Sequence, residues 1–402
     1  MQLRLSPSIH LEGSIALPAS KSISNRALII RALSENSHPI ENLAICDDTE
    51  ALEEALRLDK KIIDIGATGT AMRFLTAFLA ITPGTWTLTG SERMKQRPIA
   101  ILVDALKKIG ANISYLEKED FPPLQIIGKS LQGGAITLDG SVSSQYVSAL
   151  MMIAPKLEQG VTIHLTKTSV SKPYIRMTQT IMAHFGVATS FKNQTIDIRP
   201  QTYKAKPFQV ESDWSGASYW YEFLAIHGSG KLQLKGLKEH STQGDSKIID
   251  LFGRFGISTK FTDGMAEIQL NDTKVDHFDY DFTNEPDVAQ TLAVTCCMTQ
   301  TPFHFKGLQS LKIKETNRVT ALMNELKKCG FELIEPAENE LSWDGKLVQP
   351  ENDIVISTYD DHRMAMAFAP IALKKTIIIE HPEVVNKSYP LFWEELSRLN
   401  NL

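Results

Sequence analysis

What the chain has little of narrows its character first. Among 402 residues there are four cysteines, Cys46, Cys296, Cys297 and Cys329. They form no C-x-x-C pair, so neither a thiolate metal site nor a redox motif is indicated, and the run TLAVTCCMT reads as buried helix with free thiols. The ten histidines show no H-x-x-x-H spacing, which leaves a metal site unsupported. No apolar run approaches the roughly 18 residues a membrane span needs. The opening MQLRLSPSIHLEG alternates like a strand and lacks the charged start and long apolar core of a signal peptide. Together these absences lead us to expect a cytoplasmic protein with no membrane partner. Basic excess is absent too: a formal net charge of −5 argues against nucleic acid as a partner, so any anion site must be a local cluster of cations.

What is present is a repeat. Six segments share one shape, a small polar or charged cluster followed by an apolar, helically spaced run: KSISNRALII, GTAMRFLTAFL, SSQYVSALMM, WSGASYWYEFL, PDVAQTLAV and DDHRMAMAFA. With Ser22, Thr70, Ser144, Ser215, Asp287 and Asp361 as markers, the gaps are 48, 74, 71, 72 and 74 residues, an internal repeat of about seventy residues with a shortened first copy. Amphipathic helices and short β-rich runs such as GVTIHLT and KLQLKGL lie between the markers, so each copy is a mixed α/β module. Helices apolar on all sides need cover all round, which places the marker helices inside, in two groups of three. The chain crosses between groups near Glu211 to Trp214 and again near residues 18 to 20.

Cations recur at predicted helix starts. PASKSISNRALIIRAL is headed by Lys21, with Arg26 one turn in, although a helix start carries partial positive charge and favours acids. Arg93, Lys95 and Arg97 precede Pro98; Lys314 opens KETNRVTAL with Arg318 one turn in; Arg363 lies in DDHRMAM; and Lys387 precedes the last helix. A single exposed Lys or Arg is unremarkable, but convergence of these ends would give a pocket for a multiply charged anion. GATGTAMR, with Gly66, Gly69 and Arg73, matches neither nucleotide-loop pattern and reads as a plain turn or a close backbone approach. GSVSSQ (140 to 145) and TSVSKPY (168 to 174) add hydroxyl donors, which also serve as helix caps. Asp287 and Glu315 break the cationic pattern as caps or as proton-transfer groups.

In combination these motifs resemble the 5-enolpyruvylshikimate-3-phosphate synthase family of enolpyruvyl transferases. The likeness runs from LPASKSISNRAL through GTAMR, MKQRPI, DGSVSSQ, SKPYI, PDVAQT, KETNR and DDHRMAM to NKSYPLFWEEL. It implies a two-domain inside-out α/β barrel, each domain three βαβαββ repeats with parallel helices inside and sheets outside. The domains would be 20 to 211, and 1 to 19 with 212 to 402, with the active site in the cleft between them. The substrates implied are shikimate 3-phosphate and phosphoenolpyruvate, with no metal or organic cofactor and a monomeric enzyme. Lys21, Ser22, Arg26, Ser143, Ser144, Gln145, Ser171, Asp287 and Lys314 would hold shikimate 3-phosphate. Lys21, Gly69, Arg97, Gln145, Arg318, Arg363 and Lys387 would hold phosphoenolpyruvate. Asp287 is assigned base duty at the attacking hydroxyl, Glu315 the C3 proton, and Lys21 proton donation. The chain departs from the family pattern at Ala67 and Ser310, where Asn is usual, and at Phe74, where Pro is usual. Two rivals stand: the sister enzyme acting on a UDP-amino sugar, whose loop carries a reactive Cys where MKQRPI has none, and a non-catalytic anion-binding scaffold, which would gain nothing from Asp287 and Glu315 beside its ligand.

Overall fold

A computed structural model describes residues 1–7, 11–35, 38–140, 143–166, 171–262, 264–271 and 275–400. The hydroxyls of Ser141, Thr168 and Ser169, singled out above, lie outside the described residues. The chain forms two compact units: a continuous one, Ser20–Val210, and a discontinuous one built from Met1–Ala19 and Glu211–Leu402.

The helices of the continuous unit are α1 (Lys21–Leu33), α2 (Asp47–Ala55), α3 (Gly69–Ile81), α4 (Ala100–Lys108), α5 (Ser144–Ile153) and α6 (Lys172–His184). In the other unit they are α7 (Trp214–His227), α8 (Ile248–Gly253), α9 (Ala289–Met298), α10 (Arg318–Lys328), α11 (His362–Phe368) and α12 (Phe392–Asn400). The marker segments become α1, α3, α5, α7, α9 and α11. They are buried on nearly every face; every residue of α7 from Trp214 to Leu224 is buried, as their all-apolar composition requires.

Around four of the inner helices, α3, α5, α9 and α11, the chain repeats a strand–helix–parallel strand step. Strand Ile62–Asp64 precedes α3 and pairs in parallel with Gly84–Thr89 after it. Gly134–Leu138 and Val161–Leu165 flank α5 likewise, as do Phe278–Asp281 and Phe303–Lys306 around α9, and Ile354–Ile356 and Ile377–Glu380 around α11. Parallel neighbours need such a crossover, and a buried helix supplies it. The N-terminal segment completes the discontinuous unit: Glu12–Ala16 pairs in parallel with Lys231–Lys235, and Gln2–Leu5 runs antiparallel to Ile377–Glu380. Among the described residues, the continuous unit has two four-stranded sheets and one of two strands, Ile40–Glu41 with Phe208–Gln209. That small sheet takes its first strand from the segment after α1, in the 48-residue first copy.

Side-chain contacts show that inner helices within a unit start at the same end. In the continuous unit Gln145 at the start of α5 donates to Thr70 at the start of α3 (3.1 Å). In the other unit Arg363 at the start of α11 donates to the carbonyl of Asp287 just ahead of α9 (3.2 Å). Helix N-termini are thereby gathered at one end of each unit.

Candidate functional site

Two clusters of charged groups occupy these gathered helix starts, and each is described within its own unit.

In the continuous unit, Lys21 is the first residue of α1, a helix with no acid in its first turn and no side-chain cap. Its Nζ lies 3.0 Å from Oδ2 of Asp48 on α2. Ser22 is half-buried beside it. Five residues on, Arg26 is 2% exposed. Its donors reach the Ser22 carbonyl (2.8 Å), Thr178 Oγ1 (2.8 Å) and Ser148 Oγ (3.1 Å), and its guanidinium stands over the rings of Phe74 and Tyr174. Burial pushes Arg26 down to about 10, with Tyr174 opposing. Through these bonds Arg26 ties α1 to α5 and α6 from within.

The start of α3 is shaped by crowding. A Cβ built on Gly69 would stand 2.6 Å from Arg73 Nη1 and 2.6 and 2.9 Å from the two terminal nitrogens of Arg97, so only glycine lets both guanidiniums lie against this turn. Arg73 Nη1 also donates to the Gly69 carbonyl at 2.7 Å. Arg97 lies ahead of α4, which begins at Ala100; Pro98 stops short of the helix that it was expected to open. At α5, Ser143 caps the helix by accepting from the Gln145 N–H (3.3 Å), with Ser144 buried next to it. Ser171, ahead of α6, is 5% exposed and holds a left-handed conformation with φ of 57°, a strained state for serine that clusters at functional sites.

In the discontinuous unit the cations and acids interlock. Arg318 is the first residue of α10, with Asn317 as cap, so the helix starts one turn later than KETNRVTAL suggested and Lys314 stands ahead of it. Arg318 grips Asp361 with two bonds (2.7 and 3.1 Å) and also reaches Asp287 Oδ1 (3.2 Å) and Glu315 Oε2 (3.0 Å). Lys314 Nζ is 3.3 Å from Asp287 Oδ1, Arg363 Nη2 is 3.0 Å from Asp287 Oδ2, and Lys387 Nζ is 3.1 Å from Glu315 Oε1. Asp361 is fully buried and also caps α11 through the Arg363 N–H (2.9 Å). Burial alone would raise the Asp287 carboxyl, but the charges of Arg363, Lys314 and Arg318 outweigh it and hold Asp287 well below the usual carboxylate range. Burial lowers Lys314, against the pull of Asp287.

Motif reading did not single out three supporting groups. Asp48 was visible only as an acid in the CDDTE run, and Asp361 served only as a repeat marker. Asp245, in QGDS, carried no pattern at all, yet it is 2% exposed and bonded to Ser215 of α7. Among the described residues no group of three or more His, Cys, Asp or Glu side chains is placed to hold a metal ion. All four cysteines are buried and free.

The family model for EPSP synthase (3-phosphoshikimate 1-carboxyvinyltransferase) matches residues 5–60 and 57–396. A 3-phosphoshikimate 1-carboxyvinyltransferase of Bacteroides fragilis is 51% identical over 400 residues, covering 99% of this chain and 98% of its own. One from Yersinia pestis bv. Antiqua is 37% identical over 430 residues, covering 100% and 99%. Among solved structures, EPSP synthase from Acinetobacter baumannii superposes with a TM-score of 0.76 at 20% identity, covering 99% of this chain and 98% of that one. The enolpyruvyl transferase NikO from Streptomyces tendae gives 0.76 at 16%, covering 99% and 97%. At those identities the two structures speak to the fold.

Proposed function

The chain belongs to the EPSP synthase (3-phosphoshikimate 1-carboxyvinyltransferase) family, and from that premise we infer how its two charged clusters divide the work. It is a transferase of the shikimate pathway, on the route to chorismate and the aromatic amino acids. It moves the enolpyruvyl group of phosphoenolpyruvate to the 5-hydroxyl of shikimate 3-phosphate and releases phosphate.

Lys21, Ser22, Arg26, Ser143, Ser144, Gln145 and Ser171 of the continuous unit, with Asp287 and Lys314 of the other, hold shikimate 3-phosphate. Lys21, Gly69, Arg97 and Gln145, with Arg318, Arg363 and Lys387, hold phosphoenolpyruvate. Helix starts that lack acids, and lysines and arginines set at them, favour phosphate and carboxylate groups. We place the enzyme in the cytoplasm, which suits four free thiols, and read it as a monomer.

The chemistry is addition followed by elimination. The 5-oxygen bonds to C2 of phosphoenolpyruvate and gives up its proton while C3 gains one, forming a tetrahedral ketal phosphate. The C2–O bond to phosphate then breaks as C3 loses a proton. Asp287 takes the hydroxyl proton, Glu315 handles the proton at C3, and Lys21 assists as donor. The observation that carries this reading is that the Asp287 carboxylate lies 3.0 to 3.3 Å from three cations, Lys314, Arg318 and Arg363. So clamped, a carboxylate is a weak base. Incoming phosphate and carboxylate groups compete for the same cations, and each bond drawn away from Asp287 raises its affinity for a proton, toward the range in which general-base catalysis is efficient. The cations then stabilise the negative charge of the intermediate.

The test is to incubate the protein with phosphoenolpyruvate and either shikimate 3-phosphate or UDP-N-acetylglucosamine and to follow phosphate release. Release with the first acceptor alone is expected. Release with the sugar nucleotide alone would move the chain to the sister activity, and release with neither would make it a scaffold.

Gly69→Ala offers a second check. The added methyl meets the ends of two flexible side chains instead of backbone, so the fold adapts and the guanidinium of Arg97 is displaced. We expect KM for phosphoenolpyruvate to rise on the order of tenfold with thermal stability little changed, since an ångström-scale misplacement is costly at a positioning group. An unchanged KM would remove Arg97 from the phosphoenolpyruvate site.

A further inference from the structure

One buried acid of the discontinuous unit has no part in the chemistry above. Asp245 lies in the single turn Gly244–Lys247 just before α8. Its Oδ2 accepts the Ser215 hydroxyl, while its Oδ1 is buried and meets no hydrogen-bond partner among the described residues. The Ser215 Oγ lies 3.5 Å from Arg363 Nη2, and that same nitrogen is 3.0 Å from Asp287 Oδ2. A continuous line of polar contacts thus joins Asp245, Ser215, Arg363 and Asp287. Tyr219, one turn beyond Ser215 on α7, is fully buried with the Arg363 charge beside it, so α7 presents both side chains to the same guanidinium.

We propose that Asp245 is a positioning residue for the transfer reaction, one that orients Arg363 through Ser215 and, by gaining or losing its own proton, sets how strongly Arg363 holds the phosphoenolpyruvate anion. This rests on the reading of Arg363 as a phosphoenolpyruvate ligand given above.

The electrostatics agree in sign. Burial, and then the negative charge of Asp287, push Asp245 up to about 7, opposed by Arg363 and the Ser215 hydrogen bond, with Asp213 at the cap of α7 adding to the rise. Below that pH Asp245 is neutral, and Arg363 answers to Asp287 and substrate alone. Above it a second carboxylate shares the guanidinium and repels the incoming anion. By linkage, phosphoenolpyruvate must in turn favour the protonated form and carry the Asp245 titration to higher pH.

Asp245→Asn keeps an acceptor for Ser215 and fixes the position as neutral. In the unmodified enzyme KM for phosphoenolpyruvate should rise about three- to tenfold more between pH 6 and 8.5 than in the variant, a size set by one added charge near a partly screened site, while kcat changes less. An equal pH dependence in the two proteins overturns the proposal. Carbon-13 carboxyl NMR of the unmodified protein labelled at aspartate gives an answer even where the variant fails to fold. An Asp carboxyl titrating near pH 7, and moving upward when phosphoenolpyruvate is added, supports the role; the absence of any such titration defeats it. If phosphate release with shikimate 3-phosphate is intact and the pH effects are missing, the role of Asp245 alone is lost; if release itself is missing, the reading of the whole site goes with it.

Discussion

Asp287→Asn is expected to lower kcat by about 10² to 10⁴ while KM for phosphoenolpyruvate stays level or falls. The amide keeps the shape of the carboxylate, so Lys314, Arg318 and Arg363 retain a neighbour of the same size. What disappears is the negative charge that ties up these cations and the lone pair that we propose accepts the hydroxyl proton. Losing the charge frees the cations for substrate, which works against any rise in KM; losing the lone pair falls on the chemical step. A purely structural Asp287 would behave in the opposite way, with disordered cations, a higher KM and a kcat within about tenfold of the original. Steady-state kinetics with both substrates varied separates the two outcomes. Because Asp287 sits well below its ordinary range, the unmodified protein gains stability from this carboxylate at all pH values above the unfolded range near 3.9. That gain is lost only as the pH falls toward the depressed native value. The variant should therefore resist acid better than the parent relative to its own stability at neutral pH.

Arg318→Met is expected to destabilise the protein by about 3–5 kcal/mol and to abolish turnover. Asp361 is fully buried, and Arg318 reaches its carboxylate with two bonds, at 2.7 and 3.1 Å. Removing one partner of a buried pair leaves an uncompensated charge, and that cost sets the estimate. Glu315 and Asp287 lose a cation at the same time. For a unit of this size the change corresponds to a fall in melting temperature on the order of 10 °C. The second substitution Asp361→Asn, which removes the stranded charge while keeping an acceptor for the α11 start, should recover part of the stability and none of the activity. A melting temperature within a degree or two of the parent would show that Arg318 is not the keystone of this network.

Several of these features could be read in the chain before any coordinates. The six marker segments became the six inner helices because a helix with no polar face has nowhere to go except the interior, and the even spacing followed from repeated strand–helix–strand steps. The short first gap corresponds to the sheet of two strands. The cations at 21, 97, 318, 363 and 387 were visible as charges at odds with their setting. Pairing was not visible: Lys21 with Asp48, Lys387 with Glu315 and Arg318 with Asp361 join positions up to 72 residues apart. Nor did local pattern show that Arg26 would be sunk among Ser148, Thr178, Phe74 and Tyr174, since burial depends on what other segments bring.

By itself the sequence determined the repeat, the identity of the buried helices and the list of charged candidates, because periodicity and composition act over a few turns of chain. Only the tertiary structure decided which acid answers which cation, that Arg73 and Arg97 close in on Gly69, and that Asp245 stands behind Arg363. Those are facts about distance, and the energy of a buried charge depends on its neighbours in space instead of its neighbours in the chain.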